Sequence, residues 1–125
     1  FFNNVIKKRS IAFILSDFRA KDFNQPLRIL GNKHDLIGLQ LFDPVEENLQ
    51  DIGFIQSYDM ESGLLKWMDT SDRALRLLYE EEFKTHLATT KDIFNKSQSD
   101  LIQLRTDHSY VEALMAFFKK RSKAA

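Results

Sequence analysis

The chain has 125 residues, 43% of them hydrophobic, which suits one domain with one buried core and is too short for two ordinary domains. Its 18 basic and 18 acidic residues cancel, so no global field favours nucleic acid or an anionic membrane as a partner. Cysteine is absent, which excludes disulfides and thiolate chemistry and favours a reducing, cytoplasmic location. No apolar run approaches the roughly 20 residues of a membrane-spanning helix.

The first half of the chain predicts a strand, a short helix and a second strand. Residues 11–15 form a continuous apolar run, which is typical of a strand buried on both faces. Asp22 is predicted to cap a helix that carries Pro26 near its first turn and stops at Gly31. Residues 36–42 form the second apolar strand. A strand, helix and strand of this length imply parallel pairing with a right-handed crossover.

The second half begins with a predicted hairpin and a long helix. Residues 52–58 and 64–69 are rich in aromatic and aliphatic side chains and flank a turn-forming stretch, which predicts a β-hairpin. From Leu75 to Phe94 apolar residues recur three or four positions apart. This spacing predicts one long amphipathic helix, preceded by a cluster of capping residues at 69–72.

A short strand and a helix close the chain. Residues 101–104 form the strand, and Ser109 with Glu112 is a capping-box pattern at the start of the helix. Its apolar residues recur at helical spacing, and we expect them to be buried against the sheet. They are Val111, Leu114, Met115 and Phe118.

The order of elements predicts an α/β fold in three layers, with parallel strands, an inserted β-hairpin and one long amphipathic helix. The strand at 11–15 is expected at a sheet edge, where it is too apolar to face water comfortably. We therefore expect the edge to pair with another copy, giving a homo-oligomer. The chain starts at Phe1 rather than methionine, and we expect residues 1–125 to be one domain that forms the carboxyl-terminal portion of a larger one.

Five motifs, in order along nearly the whole chain, resemble those of the bacterial family of unknown function numbered fifty-eight. They are AFILSDF at 12–18, KHDLI at 33–37, FDPVEENL at 42–49, DMESG at 59–63 and TDHSY at 106–110. This family is similar to von Willebrand factor A domains, which have a Rossmann-like fold and bind proteins. The resemblance implies a partial von Willebrand factor A-like domain. Relatives are typically encoded beside MoxR-type AAA+ ATPases, which implies an interaction module of an ATPase-associated assembly or activation system.

The resemblance also implies a role for Asp17. Many von Willebrand A domains hold a metal ion with an Asp-x-Ser-x-Ser loop, a threonine and an aspartate that ends the fourth strand, and Asp17 stands where that aspartate falls. This chain has no Asp-x-Ser-x-Ser motif, and a single carboxylate cannot hold Mg²⁺ against water. We expect no cofactor in this chain alone, and Mg²⁺ bound by Asp17 only where an upstream loop supplies the missing ligands.

Aspartates at the strand ends give a second hypothesis, a Mg²⁺-dependent phosphotransfer or hydrolase domain. Asp17, Asp43 and Asp107 follow predicted strands at the side where open α/β sheets bind ligands. The structural alternative makes Asp43 a turn residue and Asp107 a helix cap, and it is favoured for both. For Asp17 the structural alternative is a hydrogen bond to the next loop, and the two hypotheses stand level. We assign no catalytic residue, because the chain lacks the known nucleophile and phosphate-binding motifs.

The hairpin carries the candidate partner-binding residues Phe54, Tyr58 and Trp67. If the hairpin projects from the sheet, these side chains offer the rigid aromatic anchors that protein interfaces favour. The alternative is that they pack under the long helix, and the prevalence of large aromatics in cores favours it.

Overall fold

A computed structural model describes residues 8–20, 22–58 and 62–124. The strands are β1 (Ile11–Ser16), β2 (Asp35–Phe42), β3 (Phe54–Tyr58), β4 (Leu65–Asp69) and β5 (Asp100–Arg105). The helices are α1 (Asn24–Lys33), α2 (Pro44–Glu47), α3 (Arg73–Lys96) and α4 (Tyr110–Ala124). They form two compact units, which we call the sheet unit (Phe1–Asp43 with Leu87–Ala125) and the hairpin unit (Pro44–His86). That residues 1–125 form one domain stays a prediction.

The sheet unit contains a three-stranded parallel sheet in the order β1-β2-β5. The predicted parallel α/β arrangement is therefore confirmed. Strand β2 lies in the centre, and its residues 36–40 are all buried, which explains why its sequence is almost continuously apolar. Among the described residues β1 pairs with β2 alone, so β1 is an edge strand, as expected.

One face of this sheet packs on the main hydrophobic core. The core consists of Phe18, Leu27, Leu36 and Phe94, and partly buried residues of β1, α1 and β5 pack against it. The rings of Phe18 and Phe94 meet edge to face with centroids 5.1 Å apart. Gly38 in β2 makes room for the Phe94 ring, since a Cβ atom at position 38 would stand 2.4 Å from its Cζ.

The opposite face is covered less completely than the sequence predicts. Phe118 of α4 contacts Phe13 of β1, with ring centroids 6.2 Å apart. However, Ile11 and Leu15 are 62% and 64% exposed, so the expectation that β1 is buried on both faces is wrong. The expectation for α4 is also wrong, because Val111, Met115 and Phe118 are exposed and only Leu114 is partly buried. Helix α4 lies mainly against β5, which is separated from β1 by the central strand, so most of this face of β1 is left uncovered.

Helix α1 differs from its predicted ends. Asp22 has a positive φ of 61° and does not cap the helix, which starts after Phe23 without a side-chain cap. The helix continues through Gly31 to Lys33. Glycine is needed at position 31 for close packing rather than for termination, because a Cβ there would lie 2.3 Å from the carbonyl oxygen of Ser97.

The hairpin unit contains the predicted hairpin and the start of the predicted long helix. Strands β3 and β4 pair antiparallel, from Phe54 opposite Asp69 to Tyr58 opposite Leu65. The expected turn includes residues 59–61, which lie outside the described residues. The hydroxyl oxygen of buried Thr70 accepts a hydrogen bond from the Ile52 amide at 3.0 Å and so closes the open end of the hairpin. Asp72 caps α3 by accepting a hydrogen bond from the Ala74 amide at 2.9 Å.

Arg121 ties the end of α4 to the sheet. Its guanidinium donates a hydrogen bond to Asp35, the first residue of β2, and lies 3.2 Å from a carboxylate oxygen of Asp100, the first residue of β5. It also stacks on the ring of Phe117, 5.6 Å from the centroid. The hydrogen bond to Asp35 raises the pKa of Arg121, because it stabilises the charged guanidinium.

We expect Arg121→Ala to lower the free energy of unfolding by about 1 kcal/mol, because these partly exposed ion pairs are screened by solvent. Urea titration in low and high salt measures the loss, which should shrink as salt screens the wild-type bridge. Lys120→Ala is the matched control, since Lys120 is exposed on the same helix. Equal losses in the two variants would show that the bridge contributes nothing of its own.

Candidate functional site

Asp17 lies in a tight turn directly after β1. Its Oδ1 accepts a hydrogen bond from the Arg19 amide at 3.1 Å, and Ser16 Oγ accepts one from the Phe18 amide at 3.0 Å. Phe18, which lies between Asp17 and Arg19, has a positive φ of 55°. The Asp17 side chain therefore supports the local turn while remaining exposed, as the structural reading of this residue predicts.

Asp43 and Asp107, the other two aspartates at strand ends, differ in their surroundings. Asp43 directly follows β2 and is exposed. Asp107 receives two hydrogen bonds from the guanidinium of Arg105, at 3.0 and 2.9 Å, and the pair lowers the pKa of Asp107. The prediction that Asp107 caps the last helix is wrong, because Ser109 Oγ accepts the hydrogen bond from the Glu112 amide, at 3.4 Å.

These aspartates do not build a magnesium site from the described part of the chain. No group of three or more histidine, aspartate or glutamate side chains in residues 8–20, 22–58 and 62–124 is placed to hold a metal ion. Mg²⁺ needs several preorganised oxygen ligands, and Asp17 supplies one carboxylate whose Oδ1 already accepts an amide hydrogen bond. The described residues therefore do not fit this metal by themselves, and Asp17 stays a predicted ligand for a longer chain.

A polar network around the buried side chains of Gln40 and Thr90, which the sequence analysis missed, lies behind the Asp17 turn. The Gln40 side-chain amide donates to the backbone carbonyl of Asp17 and to the hydroxyl of Thr90, both at 3.3 Å. Gln103 donates to Gln40 Oε1 at 3.0 Å and to the backbone carbonyl of Leu87 at 2.9 Å. Gln40 and Gln103 are direct neighbours in the β2–β5 register. The network thereby fixes the Asp17 turn to the centre of the sheet unit.

The three candidate aromatic residues share one face of the hairpin. Residues directly opposite each other in an antiparallel pair point to the same side, and so do alternate residues of one strand. Phe54 and Tyr58 therefore lie on the side of Trp67, which is opposite Gln56. Leu65, opposite Tyr58, belongs to the same face and was not singled out from the sequence.

This hairpin face is exposed. Phe54 is 72% exposed and Trp67 is 66% exposed, and Tyr58 and Leu65 are exposed to a similar degree. The expectation that the aromatics pack under the long helix is therefore wrong for the described structure. What remains is a surface of four large side chains, which we call the hairpin face: Phe54, Tyr58, Leu65 and Trp67.

A second apolar surface lies in the sheet unit. Phe13 and Leu15 of β1 line an open groove of about 650 Å³ together with Leu114 and Phe118 of α4, and Leu39 of β2 forms part of its floor. The groove runs beside the edge strand. We call it the edge groove.

Comparison with known proteins identifies related chains but no activity. The sequence profile of the family described as "Protein of unknown function DUF58" matches residues 1–89. "Uncharacterized protein Mb1516" of Mycobacterium bovis and "Uncharacterized protein Rv1480" of Mycobacterium tuberculosis are each 28% identical over 120 residues, covering 95% of this chain and 38% of the relative. "Uncharacterized protein MAV169" of Mycobacterium avium is 27% identical over 120 residues, with 70% of its length covered.

No solved structure matches the chain. None of the described helices is long and apolar enough to cross a bilayer. The chain spans less than half of the two longer relatives, so it represents one part of what those proteins contain. On the family match over residues 1–89, the chain belongs to the DUF58 family of proteins of unknown function.

Proposed function

We propose that this chain is a protein-interaction module built on a partial von Willebrand factor A-like domain, and that the hairpin face binds its protein partner. The single observation that carries the proposal is the exposure of Phe54, Tyr58, Leu65 and Trp67 on one side of a two-stranded hairpin. A hairpin face turned to water is ordinarily polar.

Three of these four side chains are aromatic, and aromatic residues supply large contact areas at a small cost in side-chain entropy. Removing one large apolar side chain from water contributes roughly 1.5–3 kcal/mol. A partner that covers the hairpin face would therefore gain much of its affinity from a few residues, as interface hot spots do.

For the partner we propose a MoxR-type AAA+ ATPase, which the family resemblance supports. The module would then act in an assembly or activation system driven by that ATPase, and we propose a cytoplasmic location for it. The absence of cysteine supports a reducing compartment.

Trp67→Ala is expected to weaken binding to the MoxR-type ATPase about tenfold or more, since truncating an aromatic hot-spot residue costs roughly 2 kcal/mol. Calorimetric titration of the purified ATPase into the wild-type chain and the variant measures the change. Trp67 is the sole tryptophan of the sequence, so its emission in the wild-type complex should shift to the blue once the emission of the ATPase alone has been subtracted.

Leu77→Ala is the matched control, because Leu77 is an exposed apolar residue of the same hairpin unit that lies on α3 instead of the hairpin. It should bind as the wild type does. Thermal unfolding of both variants shows whether a loss of affinity comes from a missing contact with the partner or from unfolding of the variant. Unchanged affinity in Trp67→Ala, or its unfolding, would contradict the proposal.

A further inference from the structure

The charge of the chain is unevenly divided along its sequence. Residues 44–86, which form the hairpin unit, contain ten acidic and four basic residues and so carry a net charge of −6. The other residues contain eight acidic and fourteen basic residues, a net charge of +6 that cancels the total. A unit with this charge attracts cationic molecules and repels anionic ones. The charge belongs to residues 44–86 themselves, so it is the same in any longer chain that contains them.

The hairpin face carries an acidic residue and no basic one. In the β3–β4 register, Asp69 is opposite Phe54, so its side chain points to the side of the hairpin face. The basic residue of the two strands is Lys66, which is opposite Ser57 and therefore points to the other side. The four apolar side chains of the hairpin face thus share their side of the strands with one negative charge.

The three remaining basic residues of the hairpin unit lie on α3 and have acidic neighbours. They are Arg73, Arg76 and Lys84. The guanidinium of Arg76 lies 3.8 Å from the carboxylate of Asp51, and the ammonium group of Lys84 lies 3.8 Å from the carboxylate of Glu81. Arg73 directly follows Asp72 in the sequence. None of the four basic residues of the unit therefore reverses the negative charge around the hairpin face.

The dimensions of the hairpin face suit a single helix. Phe54 and Tyr58 are four residues apart in β3, a distance of roughly 13 Å, and an α-helix spans that distance with about nine residues. Neighbouring strands lie about 4.8 Å apart, so two strands with their side chains are about as wide as one helix of roughly 10 Å diameter. A helix packed on an apolar sheet face is a standard way to bury that face.

We propose that the hairpin face binds a cationic amphipathic α-helix of its protein partner. This inference rests on the proposed function, because it states the chemistry of the segment that the hairpin face binds. Apolar residues at helical spacing would cover the four side chains of the hairpin face, and Lys or Arg residues on the flanks would lie among the acidic residues of the unit. Complementary charge speeds association and excludes wrong partners, so a helix with acidic flanks and an anionic membrane surface would both be repelled.

Two synthetic helical peptides test the proposal directly. Both carry the same leucine stripe, and the other positions are lysine in one peptide and glutamate in the other. Neither contains tryptophan, so a blue shift of Trp67 emission reports binding to the chain. The lysine peptide should bind, and its affinity should fall as salt is raised, because salt screens charges on partly exposed surfaces. The glutamate peptide should bind at least tenfold more weakly.

A substitution on the hairpin face tests the charge at its source. Asp69→Asn removes the charge and keeps an oxygen that can accept the hydrogen bond of the Ser71 amide. It should weaken the lysine peptide about threefold, the effect of one partly screened ion pair. Asp92→Asn is the matched control, because Asp92 is an exposed acidic residue of the sheet unit with an ion pair to Lys96, and this variant should bind as the wild type does. Thermal unfolding checks that both variants are folded.

Binding to the purified MoxR-type ATPase separates this inference from the proposed function. ATPase binding that requires Trp67 but is equally tight in low and high salt would overturn the cationic helix and leave the proposed function standing. Lysine-peptide binding that is lost in Trp67→Ala, measured by calorimetry, would support the cationic helix even where the ATPase itself does not bind.

Three other results would overturn the inference. The first is that the lysine peptide does not bind, or binds no more tightly than the glutamate peptide. The second is that the lysine peptide binds Trp67→Ala as tightly as it binds the wild type, which would place it elsewhere on the chain. The third is self-association of the wild-type chain, seen by light scattering and abolished in Trp67→Ala, which would assign the hairpin face to a second copy.

Discussion

Gly38→Ala is expected to destabilise the sheet unit by about 3 kcal/mol or more, at the upper end of what overpacking a core costs. A Cβ at position 38 would stand 2.4 and 2.5 Å from two atoms of the Phe94 ring and 3.1 Å from a methyl of Leu101. Phe94 is fully buried and held edge to face by Phe18, so its ring has no open space to enter. Urea unfolding followed by circular dichroism measures the loss.

The physical cause can be isolated with a second substitution that shortens the obstructing ring. Phe94→Leu alone leaves a cavity and is itself destabilising. Combined with Gly38→Ala, however, it removes the clash, so the double variant should be more stable than the sum of the two losses predicts, by at least about 1 kcal/mol. Strict additivity would mean that Gly38 matters for some reason other than the space it gives Phe94.

Gly53→Ala is the matched control for that cycle. Gly53 has a positive φ of 82° and no heavy atom within 4 Å of a Cβ built on it. Alanine there strains the backbone without a steric clash, at a cost on the order of 1 kcal/mol. Phe94→Leu relieves no such strain, so the effects of Gly53→Ala and Phe94→Leu should simply add.

Local sequence patterns were sufficient to predict the strands and the long helices of this fold, but not the four-residue helix α2. The continuous apolar run of β2 is the pattern of a central parallel strand, and that strand is buried on both faces. Aromatic and aliphatic runs flanking a turn predicted the β3–β4 pair, and the three-to-four spacing from Leu75 to Phe94 predicted α3. These patterns involve residues that are close in sequence, so they can be recognised without knowledge of the tertiary contacts.

The exposure of apolar faces could not be predicted in the same way. An apolar stripe shows which side of α4 or β1 avoids water, but only the placement of other elements decides whether that side is covered. Met115 lies on such a stripe and is 67% exposed. The hairpin face is a second example, since Trp67 has the same sequence signature whether it is packed in a core or presented to a partner.

Some features of the candidate site follow from the sequence, and others required the structure. Alternation along β3 places Phe54 and Tyr58 on one face, so their grouping follows from sequence, whereas the inclusion of Leu65 needs the cross-strand register. Gln40 and Gln103 did leave a signal, because each is a polar residue directly flanked by apolar residues of its strand. Their pairing could be inferred only once β2 and β5 were known to be neighbours.

The polar network around Gln40 gives the second large expected effect. Gln40→Glu should destabilise the chain by about 3 kcal/mol at neutral pH, because a buried carboxylate without a cationic partner is costly. The substitution keeps the oxygen that accepts from Gln103 but replaces the donating amide with a second acceptor. That second oxygen would face the Asp17 carbonyl, which now receives a hydrogen bond at 3.3 Å.

The size of this effect should depend on pH in a defined direction. Burial raises the pKa of the introduced carboxyl above the value of about 4.3 that it has in the unfolded chain. Below that value the carboxyl is neutral in both states and its hydroxyl can donate to the Asp17 carbonyl, so little stability is lost. As the pH rises towards the folded-state pKa, the unfolded chain ionises while the folded chain resists, and the variant loses stability relative to the wild type.

Gln40→Leu separates the charge from the loss of the hydrogen bonds. It should cost about 1–3 kcal/mol, because the Thr90 hydroxyl and the Asp17 carbonyl lose a donor inside the protein, and the loss should be the same at acidic and neutral pH. Unfolding free energies of the wild type and both variants, measured between acidic and neutral pH, make the comparison. A loss in Gln40→Glu that does not change with pH would mean that water reaches position 40 and solvates the carboxylate, and that the network does not seal the sheet unit behind the Asp17 turn.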